Sequence, residues 1–555
     1  LNRIMSMTMD FMDSGYDFIH FDGRHTMERE WNRNPLAYGI QNVGSFRGAS
    51  SHQHNPFTIL CEREADEDHG RCYGFSFVYS GNFMCKVEKD QYDQTRIVMG
   101  IHPKHFSYQL RPGENFTAPE VVLAYSGKGL THLTHLYHRI FRENLCKSPY
   151  VRKERPILIN SWEAAYFDFD EEKLLKIAKA AVDMGVELFV LDDGWFGNRN
   201  DDNQALGDWD VNTAKLPSGL QGLSENIHAM GLQFGLWIEP EMVSENSALY
   251  RKHPDWCLQM PRRQPSRGRY QLVLDLSRED VRDYLVTSIN AVLDSTRIEY
   301  VKWDMNRFIT DAWSAIAEKE KQGEIYHRYI LGLYDIMNRI ILTHPKILFC
   351  GCSGGGGRFD PGMLYYQPQI WCSDNTDAVC RLRIQYGTAF VYPVFAMESH
   401  VSVCPNHQTG RTVPLATRGV TAMGGILGYE LDSTKLSEEE KRICREQVAA
   451  YKRDYPLIAY GDYYRLTNPY TFSEYVAWEH VSPDQKEALI SLVLTEKESN
   501  DAQRYIKAKG LNPRMQYRVD GMEGSFSGQA LMSAGLPVPG SLMQYEAVQY
   551  FIKAL

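Results

Sequence analysis

The chain has 555 residues, too many for one hydrophobic core, so its size calls for two or three domains. With 60 Lys+Arg against 70 Asp+Glu its formal net charge is -10, which removes any general attraction for a phosphate backbone and suits a neutral ligand. No apolar run approaches the ~18–20 residues that span a membrane, and no charged-then-apolar leader opens the chain, so nucleic-acid and membrane roles are not expected.

Eleven cysteines, an odd number scattered along the chain, read as reduced thiols in a cytoplasmic setting rather than as a dense disulfide framework. The sequence opens at Leu1 in the middle of ordinary globular text, which reads as a fragment or a processed form.

Residues 1–150 lack long helical periodicity and read as an antiparallel β-sandwich. Its strand candidates are Cys72–Asp90, Thr95–Ile101 and His105–Glu114. A helix near Leu130–Glu143 and the stretch Lys147–Pro156 mark the domain's end. Along that helix His132, His135 and His138 recur every three residues, a pattern read as a surface or interface face rather than a metal site.

Residues 151–470 alternate short apolar runs with helical patterns, as in a parallel sheet with crossover helices. The strand candidates are Ile157–Trp162, Glu187–Asp193, Gln233–Glu239, Glu299–Asp304, Ile347–Cys352, Gln369–Asp374, Val391–Met397 and Gly425–Glu430. Eight strands over this length predict a (β/α)₈ TIM barrel, with Leu272–Leu276 as an excursion after the third strand. A helix starts at Glu438 behind the capping box Ser437–Glu440. Residues 471–555, with Glu487–Leu494 and Gln516–Val519, predict a small C-terminal β-domain.

The barrel strands end in polar residues. Asp192 and Asp193, Glu239 and Glu241, Lys302 with Asp304 and Asn306, and Asp374 with Asp377 all stand at predicted strand ends. That end of a barrel is its active-site face, and one buried carboxylate there costs several kcal/mol unless it is paired. A shared polar pocket is the simplest reading. The 33 Tyr, 24 Phe and 10 Trp fill cores as readily as they face sugar rings. An acidic, aromatic pocket for a neutral substrate nonetheless suggests glycoside hydrolysis, which needs two carboxyl groups across the scissile bond. Spacing alone does not choose which two.

The ordered motifs do. KWDMNR (Lys302–Arg307), CSGGGGRFDPG (Cys352–Gly362), WCSDNTDA (Trp371–Ala378), LDDGWFG (Leu191–Gly197), NSWEA (Asn160–Ala164), the stretch around Arg269 and SSHQHNPF (Ser50–Phe57) resemble the bacterial α-galactosidases of glycoside hydrolase family 36 in order and spacing. The resemblance implies a retaining α-galactosidase with Asp304 as nucleophile and Asp374 as acid/base, Asp377 being the competing choice with a capping role. It implies acceptors for the 4-OH and 6-OH at Asp192 and Asp193, donors at Lys302 and Arg269, and an apolar wall at Trp162. Asn306 joins this set, Cys352 and Gly355 surround the 2-OH, and Trp371 tightens that side. Glu239 and Glu241 read as network residues, Cys350 and Cys352 as packing, and no metal or nucleotide cofactor is called for.

Family members carry a longer sandwich than residues 1–150 provide, so this domain reads as truncated, with unpaired edges. The resemblance also implies a homotetramer in which Arg47–Phe57 completes a neighbour's pocket. An α-N-acetylgalactosaminidase and a non-catalytic galactoside-binding protein are the alternatives.

Overall fold

The structure is a computed structural model and describes residues 1–555. Two antiparallel sheets open the chain. One has five strands in the order Met27–Pro35, Tyr16–Arg24, His54–Glu62, Cys72–Phe77, Val121–Ser126. The other has four, ordered Ile4–Phe11, Thr95–Ile101, Phe83–Lys89, Gly39–Ser45. Phe83, Cys85 and Val87 are buried while Met84, Lys86 and Glu88 are not, the period-2 alternation of a half-buried strand.

The expected strand His105–Glu114 is instead a loop. Its amides find scattered partners rather than a sheet: Ser107 N donates to Gly323 O (3.1 Å) and Gln109 N to Glu324 Oε1 (2.9 Å) on the barrel, Tyr108 N to Leu1 O (2.8 Å), and Glu114 N to Arg111 O (3.0 Å). The helix Gly129–Ile140 follows where expected. Two of its three histidines tie domains together, His135 Nε2 meeting Tyr463 O and His138 Nε2 meeting Ala389 O, while His132 Nδ1 meets Ser126 Oγ of the preceding strand.

Eight parallel strands then close a barrel: β1 Leu158–Asn160, β2 Leu188–Leu191, β3 Gln233–Ile238, β4 Tyr300–Trp303, β5 Leu348–Gly351, β6 Gln369–Trp371, β7 Met397–Ser402 and β8 Ile426–Glu430. Pairing of Leu158 with Gly428 completes the ring. The outer helices are amphipathic. In Ile325–Ile341, for example, Tyr329, Leu333, Ile336, Met337 and Ile340 share the buried face. Gln271–Val273 pairs with Met242–Ser244 in the predicted excursion after β3.

Strand β7 corrects the sequence reading. The apolar run Val391–Ala396 is a helix exit and a short 3₁₀ turn, and the strand begins only at Met397. The true strand carries Glu398 and His400, whose side chains meet inside the barrel. Apolarity marked the wrong segment because this strand faces a polar interior.

A C-terminal sheet of six strands, including Tyr475–Val481, Glu487–Leu494, Gln516–Val519 and Ala547–Ala554, packs beyond the helix Glu438–Tyr460. That helix begins with the expected capping box. Arg465, fully buried, forks onto Glu67 of the first domain (2.9 and 2.7 Å), donates to Thr134 Oγ1 (3.0 Å), and lies 3.8 Å from the Phe390 ring of the barrel. Removing one partner of such a pair strands the other, at about 3–5 kcal/mol. Glu67→Ala is therefore expected to lower the first thermal transition of the whole chain by several degrees. Arg465→Met, which removes the charge and keeps the bulk, should cost less. Equal melting curves for wild type and Glu67→Ala would contradict this.

Candidate active site

A cavity of about 470 Å³ opens at the C-terminal ends of the barrel strands. Asp192 and Asp193 follow β2, Asp304 follows β4, Asp374 stands three residues past β6, and Glu430 ends β8. All of them line the cavity, together with Trp162, Arg269, Lys302, Asn306 and Trp371. Nine of the eleven expected site residues thus meet in one wall.

Asp304 accepts four hydrogen bonds. Met305 N (2.8 Å) and Gly354 N (3.2 Å) bind Oδ1, while Asn306 Nδ2 (2.8 Å) and Trp237 Nε1 (3.2 Å) bind Oδ2. Both oxygens are held by donors that rigid strands position, so the carboxylate is fixed in rotation and in place. Behind it sits Glu239, which accepts from Gln271 Nε2 (2.9 Å) and from Asn306 N. Burial, and next the negative charge of Asp304, push the Glu239 carboxyl up to about 8. Glu241 accepts from Arg358, Trp303 and Tyr329 away from the cavity. Both glutamates hold the network in place, as the sequence predicts.

Asp374 is held differently. Trp371 Nε1 donates to Oδ1 (3.0 Å), and His25 Nε2 lies 2.8 Å from Oδ2. Burial works against its charge, but the hydrogen bond and charge of His25, with Lys302 and Arg269, outweigh it and hold the carboxyl below the usual range. Asp377 points elsewhere. Its Oδ1 caps the helix Ala378–Thr388 through Val379 N and Cys380 N (both 2.9 Å), and Thr409 and Arg411 complete its partners.

The floor is a charge lattice. Lys302 Nζ donates to Asp192 Oδ2 (2.9 Å), which also accepts from Asn160 Nδ2 (2.7 Å). Burial opposes the Lys302 charge, but Asp192 leads a ring of negative groups that raises its pKa well above the usual lysine value. Arg199 forks onto Asp193 from behind. Arg269, in left-handed backbone (φ +52°), reaches Asp202 at 3.5 Å. Trp162 stands edge-on to Tyr166 and Phe167.

Cys352 and Gly355 are not on the wall. Cys352 is buried behind Asp304, its amide bonded to Trp303 O (2.7 Å). Gly355, at φ +78°, is wedged: a Cβ there would lie 2.6 Å from Asp374 N and 2.8 Å from Glu28 Oε1. Since Gly354 N binds Asp304, the Gly354–Gly355 turn spans the gap between the two aspartates.

The sequence reading gave no pocket role to His25, Trp237, Glu163, Gln408 and Glu430, which also line the cavity, and it expected His52 to wall a neighbour's pocket, whereas His52 lines this one. Trp237 and Glu430 carried a signal, since Glu430 ends a barrel strand and Trp237 stands one residue before the end of another. Glu163 is pushed up to about 8, mainly by burial and then by the charge of Glu430. His25 and His52 come from the sandwich. The segment Arg47–Phe57, expected to serve a neighbour, seals this chain's own pocket: His52 Nε2 meets Gly354 O (2.6 Å), Ser51 N donates to Gly357 O (2.8 Å), and Asn55 Nδ2 donates to Phe359 O (2.8 Å).

Known proteins share this fold. The melibiase family model matches residues 115–461, the glycosyl hydrolase family 36 N-terminal domain residues 1–111, and its C-terminal domain residues 475–552. The α-galactosidase AgaA of Geobacillus stearothermophilus is 53% identical over all of this chain and 76% of its own length. The bifunctional α-galactosidase/sucrose kinase AgaSK of Mediterraneibacter gnavus is 50% identical over 99% of this chain and 58% of its own. The AgaA crystal structure superposes with a TM-score of 0.99, covering 100% of this chain and 77% of that one. Variants of that enzyme have been solved with raffinose and with stachyose. Matched from sandwich to C-terminal sheet, the chain belongs to glycoside hydrolase family 36.

Proposed function

We propose that the chain is a retaining α-galactosidase that removes terminal α-linked galactose from raffinose-type oligosaccharides. The observation that carries this reading is the pair of cavity-lining aspartates on either side of the Gly354–Gly355 turn, one fixed by four donors and one paired with a histidine. Asp304 attacks the anomeric carbon while Asp374 gives its proton to the departing oxygen, leaving a galactosyl-enzyme ester. Water then attacks that carbon, yields a proton to Asp374, and frees Asp304.

Asp192 Oδ1 takes a single hydrogen bond, from Asp193 N (2.9 Å), and keeps acceptor capacity for a sugar hydroxyl. An axial 4-OH reaches this acidic floor; an equatorial one points elsewhere and leaves a buried acceptor unpaired, which is the basis for choosing galacto over gluco configuration. Lys302 and Arg269 supply donors, and Trp162 an apolar wall.

The domain division that fits this reading is a sandwich at 1–150, a catalytic barrel at 151–470 and a C-terminal β-domain at 471–555. Eleven free cysteines suit the reducing cytoplasm. No helix is long and apolar enough to cross a membrane. A homotetramer is supported by the edge strand Gly39–Ser45, where Tyr38, Ile40 and Phe46 stand exposed.

Asp304→Asn is expected to lower kcat/KM on aryl α-galactosides by roughly 10³-fold or more, with no azide rescue. Asp374→Ala should lose roughly 10²–10⁴-fold on poor leaving groups but little on activated ones, and azide should speed its second step. If Asp377→Ala shows that rescue instead, the acid/base assignment is wrong. A panel of aryl α-glycosides tests specificity: Asp192→Ala should erode the preference for galacto over gluco and N-acetylgalactosamine substrates by at least about ten-fold. A β-galactose first product by NMR would overturn retention. Light scattering showing a fully active monomer would remove the tetramer.

A further inference from the structure

His25 stands at the tip of a two-residue hairpin turn between Tyr16–Arg24 and Met27–Pro35, on the sandwich and not on the barrel. The hairpin is built onto the loop that carries Asp374. Asn375 Nδ2 donates to Thr26 O (2.9 Å), Ser373 Oγ donates to Glu28 Oε2 (2.5 Å), and Arg29 donates to Cys372 O and to Gly356 O (3.1 Å). Residues 372, 373 and 375 are each gripped by the hairpin, and Asp374 between them meets His25 at 2.8 Å. Gly23 permits the hairpin itself to close, since a Cβ there would lie 2.3 Å from Met27 O.

We propose that His25 is the positioning residue of Asp374: it orients the carboxyl toward the glycosidic oxygen and shares with it the proton that the leaving group takes. The inference rests on the α-galactosidase reading. The pair holds one proton, resting on His25 Nε2 or Asp374 Oδ2. As the C1–O bond breaks and the bond from C1 to Asp304 forms, that proton passes from Asp374 to the departing oxygen, leaving His25 neutral. In the second step the attacking water returns a proton to the pair.

The groups facing His25 are Asp374, Glu28, Arg269 and the edge of the His52 ring at 5.5 Å; those facing Asp374 are His25, Lys302, Arg269 and Trp371. The hydrogen bond to Asp374, ahead of the opposing burial, raises the His25 pKa. The acid-competent state, one proton on the pair, therefore persists at pH values where a lone carboxyl has lost its own. The proton is lost, and acid catalysis with it, as pH rises through the raised His25 value. Asp374 alone would lose it at lower pH.

The test is the pH profile of kcat/KM for His25→Gln and His25→Ala in the full chain, with melibiose and with an aryl α-galactoside of good leaving group. The alkaline limb for melibiose is expected to fall by at least about one pH unit in both variants. At neutral pH melibiose should lose at least about ten-fold while the activated substrate changes by less than about three-fold. Imidazole should restore part of the His25→Ala loss. In an Asp374→Ala background, His25→Gln should add less than about two-fold, because its partner is already gone. An unmoved alkaline limb, or equal losses on both substrates, overturns the inference. If neither variant folds, the wild-type limb decides: it must lie above the ordinary histidine range of about 6.5, and a lower limb overturns the inference. An inactive wild type would sink the α-galactosidase reading and this inference together, whereas an active wild type with unmoved variants sinks this inference alone.

Discussion

The constraint on which the rest of the structure depends is the burial of carboxylates at one end of the barrel. Each must find a cation or several donors, or give up its charge. Lys302 serves Asp192, Arg199 serves Asp193, and Arg358 serves Glu241. Glu239 and Glu163 meet no such ion pair with Lys or Arg, and both are pushed up to about 8. The site thus mixes carboxylates paired with cations and carboxyls whose charged form burial disfavours.

Asp304 and Asp374 take different solutions to the same constraint. Asp304 is satisfied by amide, indole and backbone donors, which keep it in place without committing a proton. Asp374 is satisfied by an indole and by an imidazole, the one side chain that titrates near neutral pH. A nucleophile needs the first kind of environment, and a group that must give and take a proton needs the second.

The barrel does not build this site alone. The hairpin carrying His25 and the segment carrying His52 press onto the Ser353–Gly357 turn and the Asp374 loop. Gly356 and Gly357 of that turn are required by this approach: a Cβ on Gly357 would meet the His52 ring at 2.8 Å, and one on Gly356 the Arg29 guanidinium at 2.4 Å. On the far side, Arg465 joins the C-terminal sheet to Glu67 of the sandwich. Sandwich and barrel therefore share one polar interface with the pocket inside it.

The amino-acid sequence by itself determined the barrel, seven of its eight strands, the excursion after β3, the long capped helix and the strand-end carboxylates. These follow from local rules: a period of two or 3.6, a capping residue, an apolar run closed by a charge. Local text also pointed to the carboxylates, Lys302 and Asn306 of the pocket wall, because strand ends point to one face of a barrel whatever else surrounds it, while the family motifs supplied Arg269 and the role of each residue. It misplaced β7, whose interior is polar, and it took His105–Glu114 for a strand although its amides bond partly to the barrel and partly within the loop. It set Cys352 and Gly355 around the sugar 2-OH; in the structure both are buried and neither lines the cavity. Only the tertiary structure decided that His25 meets Asp374 and that His52 covers the glycine turn, since 349 and 302 residues separate those partners. A hairpin tip bearing one histidine has no periodicity and no motif of its own. Its meaning comes from what lies opposite, and the packing of two domains, which no local pattern encodes, brings that into place.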